Sequence, residues 1–292
     1  LLEALRSIGY TLDTALADII DNSITAQAVK ISVRFLWDGG KPWIAICDDG
    51  CGMSQTELVE AMRFGSKSPV ENRNSDDLGR FGLGMKTASI SQCRRMTVVS
   101  SDKGRFSACE WNLNYLGKDD KSECGTQVLA EDGWRKDIVL KELSKEFFGK
   151  GKSGTIILWR NLDSGLGDPK ERNGEQRFSA HVDIARKHLE LVFHRFLSPS
   201  VGQRKITVDF NGTPLEAFNP FGPSVPARQE LPVEKIMVQG HAIVVQPYVL
   251  PHHSKAGSLA EYQKYAGEEG YLHNQGFYIY RNRRLIIKAT WF

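Results

Sequence analysis

The apolar residues near the start of this chain change period once, and that change constrains the fold. Leu12, Ala15, Leu16, Ile19 and Ile20 recur at i, i+3, i+4, i+7 and i+8, which makes one helical face. Val29, Ile31, Val33, Phe35 and Trp37 then alternate with polar residues, the period of a strand. A helix over residues 12–28 is therefore followed at once by a strand over 29–37. Asp38-Gly39-Gly40 turns the chain into a second strand over 43–47. Ser54 with Glu57 is a capping box and predicts a helix reaching Phe64. Residues 65–80 are polar and aperiodic, the pattern of a loop, and a short helix is expected over 84–92. A hairpin is expected from 96–101 and 107–113 around Asp102-Lys103-Gly104, then a strand over 154–159.

The second half is also mixed. Residues 163–176 are rich in Gly, Asp and Lys and read as a linker or long surface loop. The longest helical pattern covers 178–197. A strand over 206–210 runs into Asn211-Gly212, a hairpin signal. Further strands are expected within 235–250 and 277–287. Helices and strands mix without strict βαβ alternation, which favours an α+β class. A length of 292 residues suits about two domains or one large one, and the expected division is 1–165 and 176–292.

Composition narrows the functional classes. At 41% hydrophobic and 25% charged, the chain is neither disordered, collagen-like nor a coiled coil. No run approaches the ~18 apolar residues of a membrane helix. The net charge, 38 − 35 = +3, is too small to argue for nucleic acid by itself. Of the five cysteines, Cys47 and Cys51 lack C-x-x-C spacing and have no histidine near them, so reduced thiols in a cytoplasmic protein are expected. Residues 1–6 lack the apolar core of a signal peptide, and the abrupt start at Leu1 leads us to expect residues upstream.

Three short motifs carry chemistry. Asp18-Ile19-Ile20-Asp21-Asn22 lies on the first helix, where Asp18 and Asn22 share a face at i, i+4. A carboxylate can act as a general base and an amide oxygen suits Mg²⁺, although an isolated pair of this kind is more often a solvated face. Asp48-Asp49-Gly50-Cys51-Gly52-Met53 follows a strand, and its glycines permit close ligand approach or simply a tight turn. Gly79-Arg80-Phe81-Gly82-Leu83-Gly84-Met85-Lys86 leads into a helix N-terminus, where N–H groups favour phosphate. It matches neither the dinucleotide fingerprint nor the P-loop. Gly154-Thr155 opens a later strand.

Together, in this order, the motifs resemble those of the GHKL ATPases (gyrase B, Hsp-type chaperones, histidine kinases and MutL), and most closely the bacterial MORC-like branch. The resemblance rests on residues 15–23, 46–53 and 78–91. It implies an N-terminal Bergerat α/β sandwich followed by a transducer-like α+β domain, binding ATP with Mg²⁺. Asn22 would coordinate the metal. Asp48 would accept from the adenine amino group within a water network, with Gly50, Gly52, Met53 and Thr155 around the base. Gly79, Arg80, Phe81, Gly82, Leu83, Gly84, Met85 and Lys86 would meet the phosphates, and residues 65–80, with Ser66 and Lys67, would be the ATP lid.

Asp18 falls where the family carries its general base, usually Glu. The shorter acid loses about 1.5 Å of reach, and ~1 Å of misplacement can cost around 10²-fold in rate. Slow hydrolysis is expected. Residues 276–286 resemble a transducer strand region, and Lys288 is either the lysine sent back to the γ-phosphate or a surface lysine. Arg281, Arg283 and Arg284 either face DNA or line a solvated strand edge.

The resemblance implies an ATP-dependent homodimer, with DNA or a DNA-processing protein as partner and no membrane. The alternative is a nucleotide-gated module with negligible turnover. A histidine kinase is disfavoured, because no phospho-acceptor helix precedes the motifs.

Overall fold

A computed structural model describes residues 9–63, 84–114, 126–149, 151–168, 170–225, 227–255, 258–267 and 270–292. These fall into two units, one formed by residues 1–189 and 201–215 and the other by 190–200 and 216–292.

The first unit is an α+β sandwich. Helix α1 (Leu12–Thr25) is followed by β1 (Lys30–Leu36) and β2 (Trp43–Asp48), then by α2 (Gln55–Met62) and α3 (Gly84–Gln92). The hairpin β3 (Cys93–Asp102) and β4 (Arg105–Asn112) leads to β5 (Thr126–Leu129), α4 (Ile138–Phe148) and β6 (Gly154–Leu162). Helix α5 (Gly174–Val192), whose last turn enters the second unit, precedes β7 (Thr207–Phe210) and β8 (Thr213–Pro214). All eight strands form one sheet, ordered β5-β4-β3-β6-β2-β1-β7-β8. Its pairings are antiparallel except that of β1 with β7, so the sheet is mixed.

The two-residue strand period divides the sheet into two buried faces. Ala45, Cys47, Val99, Ala108, Ile156 and Leu158 pack on one side with Trp134 and with Leu140, Leu143 and Phe148 of α4. Asp48 pairs with Thr155 of β6, and Thr155 with Ser100 of β3, so these polar side chains share the other face. That face meets α1 and α3: Ser23 bonds Asp48, and Trp159 Nε1 donates to Ser89 of α3 at 2.9 Å.

Most expected elements are present, with shifted ends. Helix α1 stops at Thr25 because Gln27 turns to a positive φ of 65°. Helix α2 keeps its capping box but ends at Met62, where Arg63 is extended. The loop expected over 65–80 lies outside the described residues. Helix α4 has no counterpart in the sequence reading, although Asp137 caps it by accepting from Leu140 N at 3.2 Å. The glycine-rich stretch before α5 is a tight corner: a Cβ on Gly174 would stand 2.2 Å from the Asp168 carbonyl oxygen.

In the second unit, β9 (Gln229–Glu230) pairs with β12 (Tyr248–Val249), and β10 (Glu234–Val238) pairs with β11 (His241–Val245). Helix α6 (Leu259–Ala266) precedes the hairpin β13 (Phe277–Arg281) and β14 (Arg284–Thr290). In that hairpin Arg281 and Arg283 are half-buried and Arg284 is buried. Arg283 lies over the Phe196 ring at 4.3 Å and Arg284 over Phe193 at 4.6 Å, and their stems are buried by those rings.

Candidate functional site

The site is built where β2 ends. Asp48 is buried beneath α1. Its Oδ2 accepts from the Ser23 hydroxyl at 2.8 Å and its Oδ1 from the Gly50 N–H at 2.9 Å. Burial pushes its pKa up to about 6, against the opposing hydrogen bonds from Gly50, Ser23 and the Thr155 backbone.

The loop after Asp48 is fixed by its backbone. Cys51 N donates to Ala26 O at 2.9 Å, and Asp49 Oδ1 accepts from the N–H groups of Val29 and Lys30 at 2.7 and 2.8 Å. Two positions there require glycine. A Cβ on Gly52, at φ 74°, would fall 1.9 Å from Ser101 O, and one on Gly50 would fall 2.8 Å from Ala26 O. Met53 N donates to Ser100 Oγ at 2.9 Å, and Ser100 Oγ lies 3.0 Å from Thr155 Oγ1. Gly154 lets β6 begin against Asp48, since a Cβ there would stand 2.1 Å from the Asp48 carbonyl oxygen.

One helical turn separates Asp18 from Asn22 on α1, and both are half-buried. The Tyr10 hydroxyl donates to Asp18 Oδ2 at 2.8 Å. Gly84, the first residue of α3, adjoins the same carboxylate: a Cβ there would lie 3.7 Å from Asp18 Oδ2. The Asn22 amide makes no hydrogen bond to the described residues. No group of three His, Cys, Asp or Glu among the described residues could hold a metal by itself. The Asn22 amide oxygen is a hard donor of the kind that Mg²⁺ takes.

The first unit thus brings together Asp18, Asn22, Asp48, Gly50, Gly52, Met53, Gly84 and Thr155. Met85 is half-buried on α3. Lys86 is 3% exposed and its Nζ bonds the Arg63 carbonyl oxygen. Ser66, Lys67, Gly79, Arg80, Phe81, Gly82 and Leu83 lie outside the described residues. Lys288 is exposed on β14 of the second unit. Sequence reasoning missed Tyr10, Ser23 and Ser100. Ser23 directly follows Asn22 and was within reach of a motif reading, whereas Ser100, in the middle of a strand, carries no local signal.

Among the described residues, Cys47, Cys93 and Cys109 are buried free thiols and Cys51 is an exposed one. No helix among the described residues is long and apolar enough to cross a membrane.

Comparison with known proteins gives the frame for this geometry. Residues 10–145 match the family described as histidine kinase-, DNA gyrase B-, and HSP90-like ATPase. The chain is 35% identical over 108 residues to the DNA mismatch repair protein MutL of Paramagnetospirillum magneticum, covering 36% of this chain and 17% of that protein. It is 28% identical over 95 residues to ATPase morc-1 of Caenorhabditis elegans, covering 32% and 11%. With MutL of Rhizorhabdus wittichii it shares 25% identity over 177 residues, covering 60% and 25%. The match thus spans a quarter or less of each of these relatives.

Proposed function

We propose, from the match of residues 10–145 to the histidine kinase-, DNA gyrase B-, and HSP90-like ATPase family, that the chain acts as a GHKL ATPase, binding ATP with Mg²⁺ and hydrolysing it slowly. The observation that carries the reading is Asp48. A buried carboxylate raised to about 6, whose loop is bonded back to α1, is an acceptor prepared for a donor such as the adenine amino group. Gly50 and Gly52 leave the backbone open to the base, with Met53 and Thr155 beside it.

Asn22 would hold Mg²⁺ against the phosphates, and the metal would supply charge neutralisation there. Gly82, Gly84 and their neighbours would donate N–H groups to the phosphates at the start of α3. Asp18 is the base. A water oxygen forms a bond to the γ-phosphorus, the bond from that phosphorus to the bridging oxygen of ADP breaks, and the water proton passes to Asp18. The products are ADP and phosphate.

We place the transducer-like domain within residues 176–292, in the part that forms the second unit (190–200 and 216–292), with Lys288 as the lysine directed at the γ-phosphate. ATP binding would close the lid and promote a homodimer acting with DNA or DNA-processing proteins. The similarity to the DNA mismatch repair protein MutL and to ATPase morc-1 supports that setting. The free cysteines fit a cytoplasmic one.

The short reach of Asp18 favours one second reading, a nucleotide-gated module without turnover. Mg²⁺-dependent phosphate release by the chain and by Asp18→Asn, both saturated with ATP, separates the two. A fall of ~10² or more in the variant supports the ATPase. Equal background rates with ATP still bound support the gated module.

A further inference from the structure

Tyr10 is joined to the proposed base but has no part in the reading above. It sits one residue before Thr11, the N-cap of α1, and its hydroxyl donates to Asp18 Oδ2 at 2.8 Å. Its position is set by α3. Thr87 hydrogen-bonds the phenol. The Tyr10 carbonyl accepts from Gln92 Nε2 at 3.0 Å, and Gln92 is 3% exposed at the end of the helix. Tyr10 is therefore held at its phenol by Thr87 and at its main chain by Gln92, both on the helix whose first residue adjoins Asp18. Burial, and then Asp18 itself, raise the Tyr10 pKa, so at neutral pH the phenol is a donor and not a base.

An aspartate base needs such an anchor. The torsion that orients its carboxylate plane is broad and has no sharp rotamer, and a short acid has no spare reach to offset a wrong orientation. We propose that Tyr10 is a positioning residue for Asp18, fixing the carboxylate through Oδ2 so that it faces the attacking water. The proposal rests on Asp18 being the base.

The test uses the full chain, Tyr10→Phe, Asp18→Asn and the double variant, each with its ATP affinity measured. Tyr10→Phe is expected to lower kcat roughly tenfold and to leave the ATP Kd within about twofold. The acid limb of its pH profile should move upward, because the carboxylate has lost a donor. The double variant should be no slower than Asp18→Asn alone.

A ¹³C titration of the Asp18 carboxylate, assigned by its absence in Asp18→Asn, should rise in Tyr10→Phe, and this readout needs no turnover. An unchanged titration, or faster turnover in Tyr10→Phe, overturns the proposal. If Asp18→Asn loses turnover while Tyr10→Phe matches the parent in rate and titration, only the positioning role fails. If Asp18→Asn turns over at a measurable parent rate, the base reading fails and the proposal falls with it.

Discussion

At the Asp48 end of the site both carboxylate oxygens are engaged, the following loop is bonded back to α1 and β1, and two glycines fill space that no Cβ could enter. At the Asp18 end, a half-buried carboxylate receives a phenol from a residue that precedes the helix. The Asp48 end is determined by backbone and packing, and the Asp18 end by side-chain contacts. Substitutions should therefore act differently at the two ends. Changes near Asp48 trade stability against binding, and changes near Asp18 move rate at constant binding.

The largest expected effect is that of Gly52→Ala. A Cβ at 1.9 Å from a carbonyl oxygen, on a residue at φ 74°, should destabilise the fold by ~3 kcal/mol or more in denaturant unfolding. An unaltered midpoint would show that the loop relaxes and is not rigid.

Asp48→Asn should behave in the opposite way. Removing a buried charge should leave thermal stability no lower than the parent's, while ATP affinity falls by roughly 10²-fold in calorimetry.

The same carboxylate gives a pH dependence. Its folded pKa of about 6 lies above its ordinary value of 3.8, so the folded state holds the proton more tightly. Stability from this group is fully present below about 4 and declines as pH rises through about 6. With Asp48 as the proposed acceptor for the base, nucleotide binding should run the other way, weakening by up to about tenfold per unit as pH falls below 6. A flat Kd between pH 7 and 5 would contradict that role.

At the other end, Asp18→Glu should raise kcat by up to about tenfold and leave Kd unchanged. A drop would mean that the site is shaped for the shorter acid. The smallest change is expected for Ser23→Ala, a several-fold loss of ATP affinity with little effect on kcat.

Periodicity and spacing made much of this fold legible. The switch from Ile20 to Ile31 marks α1 and β1, and Ser54 with Glu57 marks the start of α2. The glycines at 50 and 52 were legible as a motif, but the reason for them was not, because the atoms they avoid belong to Ala26 and Ser101. Helix α4 was missed although Asp137, Leu140, Leu143 and Phe148 carry a cap and an apolar face. Long-range pairing left no local trace. Residues 207–210 read correctly as a strand, but nothing in them announces β1 as partner. Arg283 and Arg284 looked like a basic surface because a charge pattern cannot reveal the Phe rings beneath their guanidinium groups. Tyr10 was passed over because its contact crosses the helix cap from outside the motif.

The parallel pairing of β7 with β1 also bears on how the molecule can be divided. The chain leaves the first unit after Leu189, returns at Val201 to lay β7 beside β1, and leaves again after Leu215. Arg34 of β1 is ion-paired to Asp209 of β7 and to Glu146 of α4, which ties the returning strand to the helix layer. A fragment ending at residue 189 would lack β7 and leave β1 with a bare row of N–H and C=O groups, a template for intermolecular pairing. Protease cleavage within 190–200 would, by contrast, leave both pieces of the first unit held by the sheet, so a nicked chain should still migrate as one species until it is denatured.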